Sequence, residues 1–168
     1  MRFAAVPFEA TSDGGWAPEG PYWNQGLYMA PQYYDWTCSC CALDWVLEAT
    51  GCRGSDRYLT TMEIGYQHNV NPMYGLMDGS GSALRDVLSN YGRSSDQAWL
   101  GFDEVYNLAQ DTTGMMSGQA WYHWVALRGV DGPNLWIANS APGYKGIYDS
   151  LSRSDFNRLG GFSVVWLN

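Results

Sequence analysis

The order of patterns along the chain predicts an α+β domain with helices first and an antiparallel sheet after them. Apolar residues recur at helical spacing between about residues 39 and 110. After "TTGMMSGQ" the period becomes strand-like, in "YHWVALRGV" and "LWIANS". Between those two runs stands "DGPN", a turn signal that makes them a hairpin and argues against a parallel, Rossmann-type sheet.

Each element has its own warrant. The first 35 residues are rich in Gly, Pro and aromatic rings and lack helical periodicity, which predicts short strands and ordered loops packed on a core. Residues 1–30 are read as an aromatic-rich arm on a single domain spanning 1–168. Ala42, Leu43, Val46, Leu47 and Thr50 fall on one helical face, and Gly51 stands where a left-handed cap ends a helix. "TTMEIGYQHN" predicts a second helix. "SALRDVLSNYG" predicts a third, with Leu84, Val87, Leu88 and Tyr91 on one face, Ser82 as its cap and Gly92 as its end. "FDEVYNLAQ" predicts a short fourth, and "GGFSVVWLN" a last buried strand.

Composition removes several function classes. A formal net charge of -8 and a pI near 4.4, without a Lys/Arg cluster, exclude a nucleic-acid binder, because a phosphate backbone needs cations to displace its counterions. No run of about 18 apolar residues is present, so no membrane span is expected. The opening "MRFAAVPFEATSDGG" lacks a sustained apolar core and contains Glu9, so no signal peptide is read. The expected location is the cytoplasm as synthesised, with release by lysis or by a partner still open. Four cysteines in 168 residues are too few for a disulfide scaffold.

Three of those cysteines, Cys38, Cys40 and Cys41, lie within four positions. A thiol becomes a nucleophile as its thiolate, which the partial positive charge of a helix N-terminus favours. Cys38 stands where the loop "YYDWT" meets the helix, whereas Cys40 and Cys41 fall inside the first turn and face the helix body. The nucleophile needs a base, and the base a partner that orients it. Of the two histidines, His68 lies in polar "YQHNVNP" and reads as a surface residue. His123 heads an apolar strand. A hairpin centred on Asp131 places Asn139 opposite His123, its amide oxygen accepting an imidazole N–H. Gln32, six positions before Cys38, offers a side-chain N–H to an oxyanion together with the Cys38 backbone.

The set Gln32, Cys38, His123 and Asn139 resembles that of papain-like cysteine peptidases. It is most similar to the bacteriocin-leader (double-glycine) peptidase branch, which includes peptidase domains of phage lysins. The similarity rests on "QYYDWTCSCCALDWVLEATG", "HWVALRGVDGPNLWIANSAPGY" and "SLSRSDFNRLGGFSVVWL", and covers roughly residues 30 to 168. It implies a papain-like fold and amide hydrolysis through a thioester. It further implies Cys38 as nucleophile, His123 as general base, Asn139 as the residue orienting it and Gln32 as oxyanion donor. No cofactor is implied, and the implied partner is a peptide, from a Gly-rich protein segment or from peptidoglycan. Ser39 stands where the branch usually has Gly, and Asn139 where it more often has Asp.

Three other readings stay open on sequence alone. Cys38, Cys40, Cys41 and Cys52 form a zinc site in the first, although zinc prefers paired knuckles from separate loops; a Cys41–Cys52 disulfide is a related option. In the second, Trp16, Trp23 and their neighbours bind a glycan or peptide without catalysis. A papain-like acyltransferase or deamidase is the third.

Overall fold

The computed structural model describes residues 37–52, 57–68, 70–71, 75–76, 79–121, 123–140 and 148–168. Gln32 and the arm over residues 1–30 lie outside them. Five helices are described: α1 (Cys38–Ala49), α2 (Arg57–Gln67), α3 (Ser82–Asn90), α4 (Phe102–Asp111) and α5 (Arg153–Arg158). A two-stranded pair, β1 (Val70–Asn71) and β2 (Gly75–Leu76), stands apart from the main sheet. That sheet has six antiparallel strands: β3 (Ser95–Leu100), β4 (Gly114–Gly118), β5 (Trp124–Asp131), β6 (Asn134–Ala138), β7 (Tyr148–Leu151) and β8 (Phe162–Leu167). Their order is β3-β8-β4-β5-β6-β7. The fold is α+β, as the order of patterns predicts.

Both faces of the sheet are covered. Alternate side chains point to opposite faces of a strand. Met115, Trp124, Ala126, Ala138 and Val165 meet α1, α2 and α3 in one core, while Met116, Val125, Leu127, Ile137 and Val164 meet α4 and α5 in the other. Burial on both faces explains why "WVAL" and "SVVWL" read as nearly continuous apolar runs rather than as alternation. The sequence pattern predicts helices on the sheet but not their division into these two layers.

Helix α1 is the central element. Every residue of it except Glu48 is buried, including Asp44. Its C-terminus closes as the sequence predicts. Gly51 adopts φ 76°, its N–H bonds Glu48 O at 3.0 Å, and Cys52 N–H bonds Leu47 O at 2.8 Å, a Schellman arrangement that satisfies two of the last carbonyls. The same pattern ends α3 at Gly92 and Arg93. The start of α3 differs from expectation: Ser82 is its first helical residue, and the cap position belongs to Gly81, with no side-chain cap bond. Helix α2 runs from Arg57 to Gln67, earlier than the "TTMEIGYQHN" reading. Strands β3, β4 and β7 and helix α5 are additions that the sequence reading did not assign.

Candidate active site

The site is assembled where the start of α1 meets the start of β5. Cys38 is the first residue of α1, so its side chain lies at the helix end where backbone N–H groups have no intrahelical partner. The Trp124 N–H, the first of β5, donates to Cys38 Sγ at 3.5 Å. This contact fixes the thiol beside the residue that follows His123. Nothing in the sequence pattern signals it, because it is a backbone contact between distant segments.

His123 Nε2 and Asn139 Oδ1 are 2.7 Å apart, and both residues are buried. The carbonyl oxygen can only accept, so Nε2 carries the proton and the lone pair of the neutral ring resides on Nδ1. Nδ1 is buried and has no hydrogen-bond partner among the described residues. The indole of Trp121 meets the imidazole edge to face, with centroids 5.1 Å apart at 65°, and itself rests against Phe162. Trp121 thus limits how the ring can turn, a role that the aromatic "WYHW" run did not reveal.

The hairpin reaches this contact by a different register from the one expected. Asp131 pairs with Asn134, so the turn is centred between Gly132 and Pro133 rather than on Asp131. A register shift then falls between Leu127 and Gly129, leaving Arg128 as the extra residue of a bulge. Beyond it Ala126 pairs with Ala138. Continuing that register puts Val125 opposite Asn139, and His123 two residues further on the same side of the pleat. His123 and Asn139 are therefore diagonal neighbours, a separation that long side chains bridge. Arg128 is fully buried, with its guanidinium 4.5 Å from the centroid of the Trp136 ring, a cation–π contact in a dry setting.

Burial controls the protonation states. Removal of solvent raises the Cys38 thiol above its usual range, and the N–H groups of Trp124, Ser39 and Cys38 itself only partly oppose it. Burial thus opposes the thiolate that the helix terminus and its N–H groups favour. Burial also lowers His123 from 6.5 to about 4, against the opposing effect of the hydrogen bond it donates to Asn139 Oδ1. Thiol and imidazole are both neutral at neutral pH. Cys40 is pushed up to about 12, first by burial, with the Thr61 hydroxyl opposing.

The remaining candidates separate cleanly. Cys52 follows the far end of α1, where it receives the Arg93 Nε–H at 2.9 Å. From Cys41 to the end of α1 at Ala49 the axis advances about 12 Å, beyond the roughly 7 Å that a disulfide spans. The Cys41–Cys52 bridge and the four-cysteine zinc site are both overturned by this separation. No group of three His, Cys, Asp or Glu side chains is placed to hold a metal among the described residues. His68 pairs with Asp86 at 2.6 Å, away from Cys38, as a partly exposed residue. No helix among the described residues is long and apolar enough to cross a membrane.

No protein-family model and no curated protein matches the chain. Solved structures do. A double-glycine motif protease domain from an AMS/PCAT transporter, solved with its leader peptide, superposes with a TM-score of 0.64 at 14% identity, covering 93% of this chain and 95% of that one. The peptidase domain of Streptococcus ComA, a bifunctional ABC transporter of a quorum-sensing pathway, gives 0.63 at 13% identity, covering 84% and 98%. A C39-like peptidase from Bacillus anthracis gives 0.54 at 12% identity, covering 93% and 98%. The chain has the papain-like fold of the double-glycine (C39-like) peptidase domains.

Proposed function

We propose that the protein is a cysteine peptidase that cleaves an amide bond through a thioester on Cys38. The observation that carries this reading is the buried His123–Asn139 pair. It leaves an unpartnered Nδ1 lone pair on the residue next to Trp124, whose N–H holds Cys38 Sγ. A histidine kept only for packing has no need of a buried, unbonded ring nitrogen, which carries a desolvation cost of about 1–3 kcal/mol.

The reaction starts from a neutral pair. As Sγ attacks the carbonyl carbon, its proton passes to His123 Nδ1, and Asn139 Oδ1 holds the other N–H so that the imidazolium keeps its orientation. The developing oxyanion is assigned to the Cys38 backbone N–H and the Gln32 side-chain amide. His123 then returns the proton to the departing amine. In the second half His123 takes a proton from water as the hydroxide attacks the thioester, the C–S bond breaks, and His123 returns that proton to Cys38 Sγ.

The substrate assigned is a peptide with a Gly-rich segment before the cleaved bond. The support is the fold shared with a double-glycine protease solved with a leader peptide. Peptidoglycan peptides, suggested by the sequence-level similarity to lysin domains, are the second substrate to assay. The test incubates purified protein with Gly-Gly peptides and with peptidoglycan side by side, for the native chain, Cys38→Ala and Cys40→Ser. Cleavage is expected with the native chain and Cys40→Ser and absent with Cys38→Ala; full turnover by Cys38→Ala would overturn the assignment.

A further inference from the structure

The catalytic reading uses one of the three clustered cysteines and leaves two unexplained. They are not equivalent. Successive residues of an α-helix turn by about 100°, so Cys38 and Cys41 lie only about 60° apart around the axis of α1, one turn above each other. Cys38 and Cys40 are about 160° apart and diverge. Cys40 accordingly faces α2, where the Thr61 hydroxyl contacts it, whereas Cys38 faces β5 through the Trp124 N–H. Cys41 N–H bonds Thr37 O at 3.1 Å, so the first turn is regular helix. In such a turn the Cα atoms of residues i and i+3 are about 5 Å apart, within the roughly 4.4–6.8 Å that a disulfide requires. Both cysteines are reduced in the structure and share one buried cluster.

Exposure orders the chemistry. Cys38 retains 8% of its surface at the site, and Cys41 beneath it retains 1%. A small oxidant reaches the first and not the second. Resting on the assignment of Cys38 as nucleophile, we propose that Cys38 and Cys41 form a reversible intrahelical disulfide that silences the peptidase under peroxide and shields its nucleophile from irreversible oxidation. Peroxide converts the Cys38 thiol to a sulfenic acid and releases water, with His123 accepting the thiol proton as it does in peptide cleavage. The Cys41 sulfur then attacks the Cys38 sulfur, forming the S–S bond and expelling a second water. Two thiols are oxidised by two electrons and one peroxide is reduced. A dithiol reductant reverses the step by thiol–disulfide exchange.

The experiment treats the full chain with hydrogen peroxide, blocks remaining thiols with iodoacetamide, and maps the 38–41 segment by fragmentation mass spectrometry, with peptidase activity followed in parallel. The expected product has Cys38 and Cys41 joined, with the segment lighter by two hydrogens and Cys40 alkylated. Turnover should fall at least tenfold and return on adding dithiothreitol. Cys41→Ser and Cys41→Ala should lose activity to the same peroxide without recovery and accumulate sulfinic acid at Cys38. Cys40→Ser should behave as the native chain does. Sulfinic acid at Cys38 of the native chain, formed as fast as in the Cys41 variants, would overturn the pairing, as would a link through Cys40. Should the 38–41 disulfide form with turnover intact, silencing is refuted and Cys38 is not the nucleophile, while the mass result stands independently of activity.

Discussion

The neutral state of His123 makes stability depend on pH in a way that can be measured on this one side chain. Burial displaces its pKa from 6.5 to about 4. Above about pH 6.5 neither the folded nor the unfolded chain binds this proton, and the full stability is present. Between about 6.5 and 4 the unfolded chain takes up a proton that the folded one refuses, so stability falls as pH falls. The slope cannot exceed about 1.4 kcal/mol per pH unit, and the whole window amounts to about 3 kcal/mol. At pH 5 the loss should already be about 2 kcal/mol. The native chain and His123→Gln are unfolded in urea at several pH values between 7 and 4, and their difference is followed so that carboxylates common to both cancel. That difference should shift against the native chain by about 3 kcal/mol across the window. A difference that stays constant within about 0.5 kcal/mol would show that His123 is solvated or already charged, and the neutral-pair mechanism would fail with it.

Asn139→Ala leaves the buried Nε2–H without its acceptor and should cost about 1–3 kcal/mol, read by the same unfolding curves, with a fall in kcat larger than any change in KM. Asn139→Asp places a carboxylate beside the ring and should shrink the His123 contribution to the loss of stability below about pH 6.5, because the charged partner favours the imidazolium and brings the folded-state pKa closer to the unfolded one. His123→Ala should lower turnover by about 10²–10⁴-fold while leaving peptide binding measurable by calorimetry. Gly51→Ala forces a side chain into φ 76° and should lower stability by about 1–2 kcal/mol, although a Cβ there meets no other atom within 4 Å. Leu43→Ala, at a fully buried position of α1, should cost about 2–5 kcal/mol in the same assay.

What was legible in the sequence was whatever local chemistry decides. Gly51 and Gly92 end their helices because only a residue tolerant of positive φ closes a Schellman turn, and that requirement is written in single residues. The β5–β6 hairpin was legible from "DGPN" for the same reason. Strand β3, "SDQAWL", was not, since it is only weakly apolar and shows no clean alternation, with Trp99 more than half exposed. The β5 bulge was equally hidden. Nothing about Arg128 in isolation marks it as the extra residue, and the expected His123–Asn139 register was therefore displaced, although the two side chains still meet. The influence of the helix terminus on Cys38 was legible because it is local, whereas the burial that opposes it comes from the distant segment at β5. Gln32 lies outside the described residues, and its assignment as oxyanion donor comes from its spacing to Cys38 and from the family resemblance.

The place of β8 in the sheet sets an order on assembly. Strand β8 follows all its partners in the chain yet is not an edge strand: it pairs with β3 on one side and β4 on the other, and Val165 and Val164 supply one side chain to each core. Until residues 162–167 arrive, β3 has no described partner in the main sheet and β4 is an open edge next to the hairpin that carries His123 and Asn139. During synthesis the pairings of highest sequence separation, such as Ser95 with Leu167, must therefore form last. A chain in which β8 has not yet paired can hold the helices and the hairpin but not fix them against one another, so the Cys38–Trp124 and His123–Asn139 contacts should reach their final geometry only once residues 162–167 are in place.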